Sequence, residues 1–381
     1  MWLEGLRWSL LALALGPFAY YVLAIIAAWR FFLSRPPIPE NFTPPVSILK
    51  PVRGLDREAY ENFASFCRQE YPEYEIIFGV TDRSDPSMVV IEQIIRDFPS
   101  HSIRLLLGSE NFGPSDKVNK MVRMAREAKY DLLVINDSDI RVDSGYLRAV
   151  AAPFADPQVG AVTCLYRGLT NDCLPSQIEA LGNTSDFDAG VLVAWFMEGV
   201  KFALGATMAT TKKHLAEIGG FEAMADYYSD DFELGNRIAA RGYRVEVCSY
   251  PVYTVFPRQK LSDCFDHQVR WALTTRFSRP WGHVGLLLTY GLPWSILAAA
   301  IAPSWSVATF YLAGYVVLRG AMAWTVGVWG VKDPLLRRKM WLVPVRDAFA
   351  FAVWATSFFV NRINWRGSEF YVRKGRLVPA E

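Results

Sequence analysis

The hydrophobic pattern divides the chain into three kinds of segment. Residues 8–29 run 22 positions without a charge, long enough for one helix to cross a bilayer. The run ends in Trp29-Arg30-Phe31-Phe32, an interfacial anchor rather than the small-residue cleavage site of a signal peptide, so a retained span is predicted. From Val46 the pattern changes to short apolar runs that alternate with amphipathic ones. It predicts strands at 46–49, 74–80, 103–107 and 131–136, and helices at 56–69, 89–98 and 117–128. Apolar runs without alternation read as strands buried on both faces. The rhythm therefore predicts an α/β domain, Rossmann-like, with a mostly parallel sheet covered by helices. Beyond Gly160 the pattern loosens, with a further strand expected at 205–208 and a helix at 230–241.

The carboxyl-terminal third turns apolar again. Residues 284–318 carry no charge over 35 positions, interrupted by Pro293 and Pro303. A span at 284–302, a turn at Pro303-Ser304 and a return span at 305–331 are expected. Arg319 falls near the middle of the return span, where it either faces protein or a polar cavity or snorkels to the interface. Residues 348–360 are apolar for only 13 positions, which fits a re-entrant or interfacial helix better than a fourth crossing. The expected organisation is an anchor at 1–35, a proline-rich linker through Pro45, an α/β domain at 40–260, an amphipathic interfacial segment at 261–283 and a membrane region with a basic tail at 284–381.

Charge sets the orientation and removes one class of partner. The net charge is +2 with no basic stripe, which argues against nucleic acid. Arg30, Arg35, Lys50 and Arg53 follow the first span, and Lys332, Arg337, Arg338 and Lys339 follow the return span. The positive-inside rule places these, and the α/β domain, in the cytoplasm. The tail residues Arg362, Arg366, Arg373, Lys374 and Arg376 are expected on anionic lipid. The five cysteines are scattered and without Cys-x-x-Cys spacing, which favours free thiols over a zinc site or disulfide frame.

Candidate chemistry collects at predicted strand ends. The run Asp131-Leu132-Leu133-Val134-Ile135-Asn136-Asp137-Ser138-Asp139 ends in two carboxylates one residue apart. In an open α/β sheet ligands bind outside the carboxyl ends of the strands. Oxygen ligands on a short turn suit Mg²⁺ or Mn²⁺ with substrate phosphate completing the shell; alternatively Asp137 caps the next helix. Asp82 closes the second predicted strand, at the same edge of the sheet, and is either a second site carboxylate or a turn-former. Lys117 and Asn119 begin a helix whose amino end favours phosphate, although a solvated lysine is the plainer reading. Asp230-Asp231 opens another helix, as a dipole-favourable cap or as a base aimed into the cleft. Arg270, beside Trp271, suits a diphosphate or an interfacial Arg-Trp anchor. Dinucleotide and P-loop glycine signatures are absent.

The order Asp82, Asp137-x-Asp139, Asp230-Asp231, Arg270-Trp271 resembles the processive and lipid-directed glycosyltransferases, and more closely the ceramide glucosyltransferase family. Leu49-Lys50-Pro51-Val52-Arg53-Gly54-Leu55-Asp56 and Ile218-Gly219-Gly220-Phe221 extend the likeness over nearly the whole chain. Within that family the sequence is most similar to the branch acting in bacterial hopanoid biosynthesis. The resemblance implies a GT-A domain held at a bacterial inner membrane by several passes. It implies an inverting transfer of sugar from a UDP-sugar donor to a lipid hydroxyl: N-acetylglucosamine to bacteriohopanetetrol, or glucose to ceramide. Asp82 would contact uridine, Asp137 and Asp139 would hold the metal and sugar diphosphate, and Asp231 would be the base beside Asp230. Arg270 and Trp271 would close the site. The family motif (Arg/Gln)-x-x-Arg-Trp departs here, with His267 at its first position and Gln268 beside it. A membrane-tethered nucleotide-sugar sensor would use the same fold without needing Asp231.

Overall fold

The computed structural model describes residues 2–34, 41–170, 173–365 and 368–379. Arg35 to Glu40, and with them most of the predicted proline linker, lie outside the described residues. The chain forms two compact units. One combines Met1–Ser34, Thr170–Glu198 and Arg258–Asn361; the other combines Arg35–Leu169, Gly199–Pro257 and Arg362–Glu381.

In the first unit the leading apolar run is two helices, Trp2–Leu13 and Gly16–Leu33. Pro17 sits in the opening turn of the second, where its missing N–H costs no helical bond. Together they make one apolar stretch of 32 residues long enough to cross a membrane; Trp305–Gly330, of 26 residues, is another. The expected span at 284–302 falls on a pair of helices, Pro280–Thr289 and Gly291–Ala300, bent by 51°. The break falls at Tyr290, and Gly291 N–H donates to the Tyr21 hydroxyl at 2.9 Å. Most of the apolar segment 348–360, expected as a re-entrant or interfacial helix, lies in the 15-residue helix Val343–Ser357.

The division into units cuts across the segment 40–260. Thr170–Glu198 belongs to the unit of the apolar helices, where the helix Asp188–Glu198 packs on Gly16–Leu33, with Phe31 edge-on to Trp195 at 5.2 Å. Arg319 does not snorkel. It is 2% exposed and donates to Asp347 at 2.7–3.2 Å and to Asp186 at 2.6 Å, so a buried ion-pair cluster offsets its charge.

The second unit is built on an eight-stranded mixed sheet. Its strands are β1 (Val46–Pro51), β2 (Tyr74–Val80), β3 (Ser102–Leu107), β4 (Leu132–Ile135), β5 (Ile140–Arg141), β6 (Val159–Leu169), β7 (Met208–Thr211) and β8 (Arg244–Val255). Their order is β3-β2-β1-β4-β7-β6-β8-β5. β3, β2, β1 and β4 are mutually parallel, so their carboxyl ends share one rim. β7 runs antiparallel to β4 with Met208 opposite Ile135, which brings the segment just before β7 to that same rim. The predicted strand 205–208 is displaced accordingly: Gly205 to Thr207 precede the strand.

The start of one predicted helix also changes. The helix predicted from Asp56 begins at Ala59, after Glu58 adopts a left-handed conformation (φ 54°), which leaves Asp56 outside it. The basic tail, expected on lipid, forms an antiparallel sheet of β9 (Arg362–Trp365), β10 (Ser368–Arg373) and β11 (Arg376–Pro379) within the second unit. Tyr228 N–H donates to Gly375 O at 2.9 Å and Leu377 N–H to Asp226 O at 2.8 Å. Backbone pairing joins the tail to this loop, and Arg376 adds a hydrogen bond to the Tyr227 hydroxyl at 3.5 Å and an ion pair to Asp226 at 4.0 Å.

Candidate active site

The rim is held by buried polar anchors. Asn136, fully buried at the end of β4, donates to the Tyr146 hydroxyl (2.8 Å), Ala206 O (2.8 Å) and Thr207 Oγ1 (3.0 Å). This fastens the carboxyl end of β4 to the segment carrying Gly205. Lys50, on β1 and fully buried, donates to Asp137 O at 2.8 Å, its ammonium 3.9 Å from the Phe66 ring centre. Burial pulls its pKa down to about 7 against the opposing field of Asp139, Asp137 and Asp56.

Asp137 then turns into the cleft. Lys117, in the first turn of the helix Asp116–Glu127, places Nζ 2.9 Å from Asp137 Oδ1 and 3.0 Å from Asp230 Oδ2. The second contact is an ion pair without hydrogen-bond geometry, because Asp230 Oδ2 is buried with no hydrogen-bond partner. Burial alone would lower the Lys117 pKa, but Asp137, Asp230 and Asp231 push it above the usual lysine value.

Gly205 supplies the key spacing. A methyl carbon added there would lie 3.3 Å from Asp137 Oδ2 and 3.3 Å from Asp231 Oδ2. The two carboxylate oxygens therefore lie equally close to one point. Asp231 opens the helix Asp230–Ala240, and its carbonyl accepts from Ala203 N–H at 3.3 Å. That helix approaches closely because Gly235 has no side chain; a Cβ there would meet Ala203 N at 2.2 Å. Asp231 is raised to about 6, first by burial and then by Asp230, with Lys117 opposing. Asp139 is also raised, by burial and by Asp137 and Asp56.

The structure thus brings Asp137, Asp230, Asp231 and Lys117 together, with Asp139 beside them. Asp82 lies on the same rim past β2, with β1 between its strand and β4. It is exposed, and its Oδ1 accepts from Ser84 N–H at 2.7 Å in a local turn, which holds its carboxyl below the usual range. Asn119 commits its amide to the preceding loop, accepting from Phe112 N–H at 3.0 Å and donating to Gly113 O at 2.9 Å.

His267, Gln268, Arg270 and Trp271 lie on the helix Leu261–Ser278 of the other unit. Glu179, fully buried as a side chain, accepts from His267 Nδ1, from Gln259 and from Gln268 Nε2, the last at 3.1 Å. Gln268 Oε1 also accepts from Arg346 at 3.0 Å. Both ends of the buried Gln268 amide are therefore used internally, whereas His267 is 28% exposed and lies against Trp271.

Sequence reasoning missed Asp56, Lys50 and Gly205. Asp56 accepts from the Ser138 hydroxyl, inside the Asp137-x-Asp139 turn. The one local signal was a charged Lys50 at the end of an otherwise apolar strand.

The residues fit a divalent cation. Asp137, Asp139, Asp56, Asp230 and Asp231 outnumber Lys50 and Lys117, Asp230 Oδ2 lacks a hydrogen bond, and Gly205 leaves open the space its Cβ would fill. Among the described residues no group of three or more His, Cys, Asp or Glu forms a ready-made metal cage. Asp137 and Asp139 would therefore hold a cation together with phosphate oxygens, the usual arrangement at nucleotide sites.

Known proteins share the fold and much of the sequence. The fold is GT-A: a mannosyltransferase of Pyrobaculum calidifontis, solved with GDP-Man and Mn²⁺, superimposes with a TM-score of 0.59 at 18% identity, covering 92% of this chain and 99% of that one. Ceramide glucosyltransferase 3 of Caenorhabditis elegans is 26% identical over 257 residues, which is 67% of this chain and 56% of the relative. Ceramide glucosyltransferase 1 of the same organism is 26% identical over 282 residues, 70% of this chain and 60% of the relative. A ceramide glucosyltransferase of Komagataella phaffii reaches 34% identity over 139 residues, 34% of this chain and 27% of that protein. The matches thus span less than two-thirds of these relatives' length. The model of Glycosyl transferase family 21 matches residues 9–378. The chain belongs to glycosyl transferase family 21.

Proposed function

We propose that this protein is a membrane-bound, inverting transferase that moves a sugar from a UDP-sugar to a lipid hydroxyl at the cytoplasmic face. The observation that carries the proposal is the pair Asp137 and Asp231, each with one oxygen against the same point above Gly205, while Lys117 bridges Asp137 to Asp230.

In this reading Asp231 is the base. Its raised carboxyl still ionises below neutral pH, which suits proton abstraction from a hydroxyl. The acceptor oxygen bonds to the anomeric carbon, the bond from that carbon to the donor's phosphate oxygen breaks, and the hydroxyl proton passes to Asp231. UDP departs with the bonding electron pair. A single displacement without an enzyme nucleophile inverts the anomeric carbon. Lys117 offers its ammonium to the diphosphate, and Asp137 and Asp139 would hold a divalent cation, Mg²⁺ or Mn²⁺, which neutralises charge on the leaving group when bound. Asp82, past the end of β2 on the same rim, would meet the nucleoside.

The relatives' activity makes glucose and ceramide the first choice of donor sugar and acceptor. The sequence's likeness to the hopanoid branch supports N-acetylglucosamine and bacteriohopanetetrol as the second. The full chain in lipid nanodiscs, given labelled UDP-glucose or UDP-N-acetylglucosamine with Mn²⁺ and either lipid, separates these. Label on ceramide supports the first reading, and label on bacteriohopanetetrol selects the second. UDP binding with no transfer to either lipid contradicts the transferase and leaves a sensor.

A further inference from the structure

Lys117 has an unusual position for a phosphate-binding lysine. Its Nζ stands between Asp137 Oδ1 (2.9 Å) and Asp230 Oδ2 (3.0 Å), and its side chain is only 17% exposed. Asp230 is 7% exposed, and its Oδ2 has no hydrogen-bond partner. Asp137 has thus given one oxygen to an ammonium and turned the other toward Asp231 across Gly205. An ammonium on Asp137 and a divalent cation on the same carboxylate repel each other, strongly so at a partly buried site. A lysine is a point charge on a flexible four-carbon stem, and can swing by a few ångströms without moving its helix.

We propose that Lys117 is the counter-cation that holds Asp137 and Asp230 together before the donor binds, and that it exchanges Asp137 for a donor phosphate when cation and nucleotide arrive together. This rests on the transferase reading and adds a property that reading does not require. Lys117 opposes the cation while the nucleotide is absent and supports the pair once it is present, so cation and UDP bind with positive coupling. By reciprocity each tightens the other by the same factor. A lysine that served only to brace two helices would leave cation affinity untouched when replaced.

The test is a titration of Mn²⁺, followed by the spin resonance of the free ion, on the full chain in nanodiscs with and without UDP. For the wild type, UDP is expected to tighten Mn²⁺ binding by about tenfold or more. Lys117→Met is expected to bind Mn²⁺ alone about tenfold more tightly than the wild type, with the gain from UDP reduced. Lys117→Gln, which keeps a hydrogen-bond donor but no charge, should behave likewise and guards against misfolding of the first variant. If both variants bind Mn²⁺ alone no more tightly than the wild type, the exchange is overturned while the transferase reading stands. A wild type that binds neither Mn²⁺ nor UDP overturns both.

Discussion

Asp137 and Asp231 lie 94 positions apart in the chain, yet each directs an oxygen to within 3.3 Å of the same point above Gly205. Three local facts produce the meeting. β7 returns antiparallel to β4, Asn136 fastens the two, and Gly235 admits the Asp231 helix. Filling the shared space should therefore impair the chemistry more than the fold. Gly205→Ala is expected to lower kcat on the order of 10–100-fold, the usual cost of a small misplacement at a reacting centre. Steady-state turnover together with a thermal melt checks this; a fully active variant would show that the space is not used.

The pH profile follows from Asp231. Burial and then Asp230 raise its carboxyl from 3.8 to about 6. A base must be ionised, so kcat/KM should rise with pH through about 6 and level off above it. The stability contribution has the opposite sign. The folded protein holds this proton more tightly than the unfolded chain, so stability from this group is present at low pH and lost as pH rises through about 6. Turnover and melting temperature measured across that window should diverge in the wild type, with the Asp231 share of the stability slope absent in Asp231→Asn.

Arg319 and Asp347 form a buried pair inside the first unit, with Arg319 also bound to Asp186. Asp186 keeps Arg346 at 3.0 Å if Arg319 is removed, but Asp347 loses its cation. Arg319→Met should destabilise by about 3–5 kcal/mol, and adding Asp347→Asn should recover part of the loss. Denaturation of the single and double variants in detergent measures the coupling, and simple additivity would contradict the pairing.

The carboxyl-terminal sheet pairs with residues 226 and 228, just ahead of Asp230 and Asp231. Deleting residues 362–381 should free that loop and lower kcat by about tenfold or more while UDP binding is retained. Comparison of UDP affinity with turnover in the truncated protein decides this; unchanged turnover would mean the tail does not position the loop.

Much of this was legible locally. An unbroken apolar run ending in Asp137-Ser138-Asp139 announces a buried strand with carboxylates at its exit, and the β1 to β4 rhythm announces the parallel sheet that gathers such exits on one rim. What stayed hidden depends on partners distant in sequence. Asp56 looks like a helix opener until the left-handed turn at Glu58 releases it toward Ser138. The basic tail shows no strand signal of its own, and its backbone pairing with Asp226 and Tyr228 depends on a loop far back in the chain. Glu179 sits in an unremarkable helical stretch, and nothing near it in the chain reveals its hold on His267 and Gln268.

The most direct trial is a paired measurement on Asp231→Asn in nanodiscs: UDP affinity by calorimetry, and transfer of labelled sugar from UDP-sugar to added lipid. Removing a base while leaving Lys117, Asp137 and Asp139 in place should preserve UDP affinity and reduce transfer by about 10²–10⁴-fold. Transfer at the wild-type rate would contradict the assignment of these converging acids as one catalytic centre.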